Sequence, residues 1–129
     1  METLRRFEVA HNGKLLDQMR ACFHDDASIE SVASNGRALD PDATIEALAA
    51  AFNDGWYSIG DWTYQQIAPD LIVSCTSTRK LLPGGHGVSH DKVYRITQGR
   101  DGLMWRVRLC ASRAEAAAEV EKYGQILAI

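Results

Sequence analysis

The tightest constraint on the fold lies near the end of the chain, in Arg100-Asp101-Gly102-Leu103-Met104-Trp105-Arg106-Val107-Arg108-Leu109-Cys110-Ala111-Ser112. Asp-Gly is the dipeptide of a tight hairpin turn, because both residue types tolerate positive φ. After it Trp105, Val107 and Leu109 alternate with Arg106 and Arg108. A period of two belongs to a β-strand with one apolar face and one charged face. Trp105, Val107 and Leu109 should therefore face the helices, and the two arginines should face away, since burying an unpaired arginine is costly. Ser112-x-x-Glu115 reads as a capping box, with Ser112 accepting from the Glu115 N–H and Glu115 reaching back to Ser112. A strand thus runs directly into a helix and offers the rest of the chain a wall to pack on.

The upstream chain supplies what packs there. Leu4, Phe7 and Ala10-His11 mark one face of a short helix, which Asn12-Gly13 interrupts. Leu15, Leu16, Met19, Cys22 and Phe23 recur at helical spacing, and His24-Asp25-Asp26 should end that second helix. Ala27 to Ala33 reads as a first strand, with a turn at Asn35-Gly36. Asp40-Pro41 starts a third helix, Asp40 as N-cap, with Ile45, Leu48, Ala49 and Phe52 as its apolar stripe. Strands are expected over Trp56–Ile67, Leu71–Leu82 and, after Pro83-Gly84-Gly85-His86-Gly87, Val88–Thr97. Arg113 to Tyr123 is the last helix, with Gly124 at its C′ position. Helices followed by a run of strands give an α+β class, a curved and mostly antiparallel sheet wrapped around helices. Such a sheet forms a cone with an internal pocket, the usual place for a small-molecule site. All 129 residues form one domain.

Composition narrows the partners. A net charge of -3, with no basic run, argues against nucleic acid. No apolar run reaches the ~20 residues of a membrane span, and the first residues do not form a signal peptide. Cys22, Cys75 and Cys110 are far apart and odd in number, which suits reduced, buried thiols in a cytoplasmic protein.

The order of these elements resembles the SnoaL-like branch of the nuclear transport factor two-like superfamily, the relatives of polyketide cyclases and ketosteroid isomerases. The resemblance rests on Leu16-x-x-Met19-x-x-Cys22-Phe23-x-Asp25-Asp26-Ala27-Ser28-Ile29-Glu30, on Asp40-x-x-Ala43-Thr44-Ile45, and on Asp101-Gly102-x-Met104 followed by Ser112-Arg113-Ala114-Glu115-Ala116. It implies a cofactor-free pocket protein acting on, or binding, a small and mostly apolar organic molecule. The isomerase pattern itself is not matched. Its general-base Asp falls on Ser31, a second acid on about Lys92, and its oxyanion-hole Tyr near Arg6-Phe7. The Asp implied by SnoaL-type cyclases on the last strand is replaced by Arg106 and Arg108.

The residues nominate a site of their own. His90, Lys92 and Tyr94 share one face of a strand. If that face is concave, His90 would move a proton and Lys92 and Tyr94 would hold an oxyanion, in an isomerisation, cyclisation or dehydration. If Asp91, Val93 and Arg95 face inward instead, His90 and Lys92 are left in solvent. Ser31, Ser74, Thr76, Trp62 and Trp105 are the expected ligand-binding residues, the tryptophans as walls for a hydrophobic or aromatic molecule. His86-x-x-x-His90 straddles a turn and lacks a third ligand, so no metal is expected. The alternative is a non-catalytic binding or dimerisation module. The convex side, with Arg106, Arg108, Arg95 and Asp91 among Leu71, Val73 and Cys75, should be the surface of a homodimer.

Overall fold

The structure, a computed structural model, describes residues 1–31, 36–81 and 88–129, without the side chains of residues 81 and 88–90. Its elements in order are α1 (Glu2–Asn12), α2 (Leu16–Ala21), β1 (Phe23–Glu30), β2 (Ala38–Leu39), α3 (Pro41–Asn53), β3 (Trp56–Ala68), β4 (Leu71–Leu81), β5 (Val88–Arg100), β6 (Leu103–Cys110) and α4 (Arg113–Glu121). The strands form one open sheet in the order β2-β1-β6-β5-β4-β3. Every neighbouring pair is antiparallel except β1 and β6, which run parallel with Ile29 opposite Val107. The class is α+β, as the succession of patterns requires.

Local signals account for several boundaries. Asp101 and Gly102 have φ of 55° and 74°, and Arg100 pairs with Leu103, so the turn is the two-residue hairpin that Asp-Gly favours. The Asp40 carboxylate accepts from the Ala43 N–H at 2.7 Å and caps α3. Ser112 Oγ accepts from the Glu115 N–H at 3.2 Å and caps α4. Glu115 reaches one residue further back than a capping box requires: it accepts from the Ala111 N–H at 3.1 Å, and its other oxygen takes Arg108 at 2.6 Å.

Strand register decides which side chains share a face. Residues directly opposed across antiparallel strands lie on the same side. Ser74 opposes Arg95, Thr76 opposes Val93 and Thr78 opposes Asp91, whereas Val73 opposes Ile96 and Cys75 opposes Tyr94. The first set lies on the inner face, where one core joins Ile72, Trp62, Met104 and Val107 to Leu4, Phe7 and Met19 of the helices. The second set lies on the outer face, where a separate core joins Val73, Cys75 and Tyr94 to Ala116, Val120 and Leu127. The sheet is therefore covered on both sides, by α1, α2 and α3 inside and by α4 with the tail outside. The tail is fastened by side chains: Gln65 donates to the Ile126 carbonyl at 2.8 Å, and Arg113 donates to those of Leu127 and Ile129 at 3.1 and 3.0 Å.

Four expectations are corrected. Helical spacing carried the second helix through Phe23, but α2 stops at Ala21, and Phe23 pairs with Met104 as the start of β1. Helix spacing and a short apolar strand cannot be told apart over so few residues. Trp105 does not share a face with Val107 and Leu109. The β5–β6 register slips between Gln98 and Gly99, so Met104 takes the inner position and Trp105 stacks between Arg100 and Arg106, 5.0 and 4.4 Å from its ring. Leu71, Val73 and Cys75 do not form an exposed patch, because α4 and the tail bury them. Arg95 lies on the inner face, not among the outer arginines. Val32, Ala33, Asn35 and the Pro83–Gly87 connection with His86 lie outside the described residues.

Candidate functional site

Between the inner face and the helices lies a cavity of about 240 Å³. The sheet contributes Trp62 from β3, Arg95 and Thr97 from β5, and Met104, Val107 and Leu109 from β6. Leu4 and Phe7 of α1 close one side, Ala47, Leu48 and Ala51 of α3 another, and Ser31 and Leu39 stand at the rim. Two larger depressions, about 730 and 600 Å³, are open surface clefts beside α1. The inner cavity is more enclosed and far more apolar. It shares Leu4, Thr97 and Met104 with the larger cleft, so those three side chains form the partition between them.

One charged group enters this apolar space among the described residues. Arg95 is buried, and its Nη1 donates to Thr76 Oγ1 at 2.7 Å. Its guanidinium lies over the Trp62 ring, 4.8 Å from the centroid, in a cation–π contact. Desolvation lowers its pKa to about 10, against smaller opposing contributions from Cys75 and Tyr64. Among the described residues, three buried polar atoms lack a hydrogen-bond partner: Trp62 Nε1, Ser74 Oγ and Thr97 Oγ1. Buried polar groups are normally satisfied, so three orphans on the same inner face as Arg95 need an explanation.

A second polar cluster sits behind the cavity at α1. His11 is buried among the rings of Phe7, Phe52 and Trp62, and its Nδ1 meets Ser58 Oγ at 2.5 Å. Burial, and then the charge of Arg95, lower its pKa to about 3, so the imidazole is neutral at pH 7. Tyr64 OH donates to Glu8, whose second oxygen accepts from the backbone N–H of Trp62 at 3.3 Å. Burial, and then Glu8, raise the Tyr64 pKa. These contacts hold Trp62 in place against α1.

The nominated residues divide between the two faces. Trp62 and Ser31 line the cavity. Ser74 and Thr76 are fully buried on the inner face, and Thr76 orients Arg95. Trp105 lies off the cavity for the reason given above. Tyr94 is on the outer face beneath α4, with its OH donating to the Ile129 carbonyl at 3.5 Å. Lys92 follows the same parity and is exposed. The side chain of His90 lies outside the described residues. The inward set is thus the Asp91, Val93 and Arg95 alternative. Sequence reasoning held Arg95 only in the inward-facing alternative and gave neither Thr97 nor His11 a part in the site. The usable signal was Ser74-x-Thr76-x-Thr78, a polar face on β4 that only a polar neighbour could satisfy.

The described part of the cavity holds no carboxylate or imidazole, so it offers no evident general base. It can enclose an apolar body and set a cation beside one polar end. Among the described residues no group of three or more His, Cys, Asp or Glu could hold a metal ion. No helix there is long and apolar enough to cross a membrane.

No protein-family model and no curated protein matches the sequence. Solved structures match its fold. One is a cystatin-fold protein from Novosphingobium aromaticivorans, 19% identical, covering 84% of this chain and 95% of that one, TM-score 0.68. Another is a candidate polyketide cyclase from Xanthomonas campestris pv. campestris, 17% identical, covering 92% and 94%, TM-score 0.70. A third is a protein of unknown function from Burkholderia pseudomallei, 15% identical, covering 93% and 95%, TM-score 0.71. At these identities the shared property is the fold.

Proposed function

From a chain with the cystatin-like fold of nuclear transport factor two-like proteins, we propose a function in binding: the inner cavity takes up one small, mostly apolar organic molecule. The observation that carries this reading is the partly enclosed, apolar cavity between α1, α3 and the sheet. Sites of this kind are concave, mostly apolar and oriented by a few polar groups. The volume is about that of eight water molecules in the liquid, which suits a ligand on the order of ten non-hydrogen atoms. Catalysis is the second reading, favoured by the candidate polyketide cyclase among the similar structures. In it Arg95, rather than Lys92 and Tyr94, would hold the oxyanion of an enolate during isomerisation or cyclisation. The proton acceptor would then have to come from outside the described lining, which is why binding ranks first.

The three free cysteines support a reducing, cytoplasmic setting. A homodimer on the outer side would be built on α4 and the tail, where Tyr123 and Ile126 are exposed, rather than on the strands beneath.

The test is a thermal-shift screen of the full chain with small apolar acids, amides and alcohols. A ligand at about 100 times its Kd should add about 2.7 kcal/mol of stability and raise Tm by several degrees. Ala51→Trp, at a half-buried position of α3 in the cavity lining, should abolish the shift while leaving the fold intact by circular dichroism. A shift that persists in Ala51→Trp would place the ligand elsewhere.

A further inference from the structure

We propose that the inner cavity is selective for a small apolar monocarboxylate, whose charged end meets Arg95. This rests on the cavity being the binding site and adds the class of its ligand.

A guanidinium carries five N–H donors and no acceptor. Among the described residues the Arg95 guanidinium makes one hydrogen bond, from Nη1 to Thr76 Oγ1 at 2.7 Å. Among the described residues no carboxylate stands within ion-pairing distance of it, although the outer-face Arg108 has two, Glu115 and Glu119. Buried charges are normally paired, because removal from water without a counter-charge is strongly unfavourable. Arg95 is nevertheless held in one direction, by Thr76 on one side and by the Trp62 ring on the other. Arg95 and Trp62 both line the cavity, so the guanidinium is held at its wall with N–H donors still unused.

The neighbouring orphans fit the same occupant. Thr97 Oγ1 and Trp62 Nε1 belong to residues that line the cavity, and both are buried without a partner. A hydroxyl and an indole N–H can each donate, so both supply what a carboxylate accepts. A cationic ligand would meet only the like charge of Arg95. A neutral ligand would leave the guanidinium uncompensated. A planar carboxylate matches the planar fork of donors and can accept from two of them at once. The remaining lining is aliphatic and aromatic, so the acid should carry a compact apolar body and no second charge. Burial keeps salt from screening the pair, so binding should depend only weakly on ionic strength.

The experiment compares isosteres on the full chain by calorimetry at pH 7: 3-phenylpropanoate against 3-phenylpropanamide, cyclohexanecarboxylate against its carboxamide, and 3-phenylpropylamine as the cation. The acids should bind about tenfold or more tightly than the amides, and the amine should not bind. Arg95→Gln should remove the preference, weakening the acid far more than the amide. Arg95→Lys should keep part of it. Thr97→Val, which is nearly isosteric, should weaken the acid several-fold and the amide less, and it serves where an Arg95 variant does not fold. Equal affinity for acid and amide in the unmodified chain overturns the inference and leaves the cavity reading standing. Failure of acids and amides alike overturns both. Preference for the amine overturns the assignment of Arg95 to the site.

Discussion

His11 shows how one residue can couple the cavity wall to pH. It is neutral because Phe7, Phe52 and Trp62 exclude water from it and because Arg95 repels a second positive charge. Its folded pKa of about 3 lies below the ordinary 6.5. Above pH 6.5 neither the folded nor the unfolded state holds the extra proton, and the full stability is present. As pH falls from 6.5 toward 3 the unfolded state takes up a proton that the folded state refuses. Stability is then lost by up to about 1.4 kcal/mol per pH unit. Chemical denaturation should show this decline already between pH 6.5 and 5, above the range in which most carboxylates titrate. His11→Phe keeps the ring among its aromatic neighbours and should flatten that part of the profile. An unchanged slope in the variant would assign the acid sensitivity to other groups.

Among the elements, α4 depends most on local chemistry. Its first turn is fixed by Ser112 Oγ on the Glu115 N–H, and its side is fixed to β6 by Arg108 with Glu115 and Glu119. Ser112→Ala should cost about 1 kcal/mol, read as a Tm lower by roughly 2–5 °C. Since Glu115 bonds Ala111 rather than Ser112, it should still hold the turn in that variant, and the helix content by circular dichroism should stay unchanged. A loss of helix signal would mean that the serine is needed for α4 to form at all. The strand before it carries the other lesson at this scale. Alternation alone put Trp105 inward, but one register slip in β6 turned it outward and gave its place to Met104.

For the whole molecule, the arrangement of covers sets the prospects for self-association. The strands expected to pair two copies are closed by the chain's own α4 and tail. Among the described residues, the large apolar side chains left exposed on that side are Tyr123 and Ile126. If the proposed homodimer forms there, sedimentation at micromolar concentration should give about twice 14.3 kDa, and Ile126→Glu should return it to one chain. A mass near 14.3 kDa at all concentrations would reject the dimer. The same two-sided cover explains why the cavity is the natural site. With α4 and the tail over the outer face, the depression left there beside Ile96 and Arg108 is smaller, about 180 Å³, and more open than the inner cavity.

What the sequence determined by itself was local. Asp101-Gly102 makes its turn, Asp40-Pro41 and Ser112 start their helices, and the polar face of Ser74, Thr76 and Thr78 lies on one side of β4, because each depends on residues within a few positions. The outward direction of Arg106 and Arg108 was legible for the same reason. Sidedness was not. The strand from Val88 is mixed on both faces, so nothing in it chooses between His90-Lys92-Tyr94 and Asp91-Val93-Arg95. That choice comes from register, with Ser74 opposite Arg95 and Cys75 opposite Tyr94, and from α4 packing on the outer side. A shift of one residue exchanges the faces of a strand. The tertiary structure therefore decided which charged residue the cavity contains, and with it the chemistry that the site can offer.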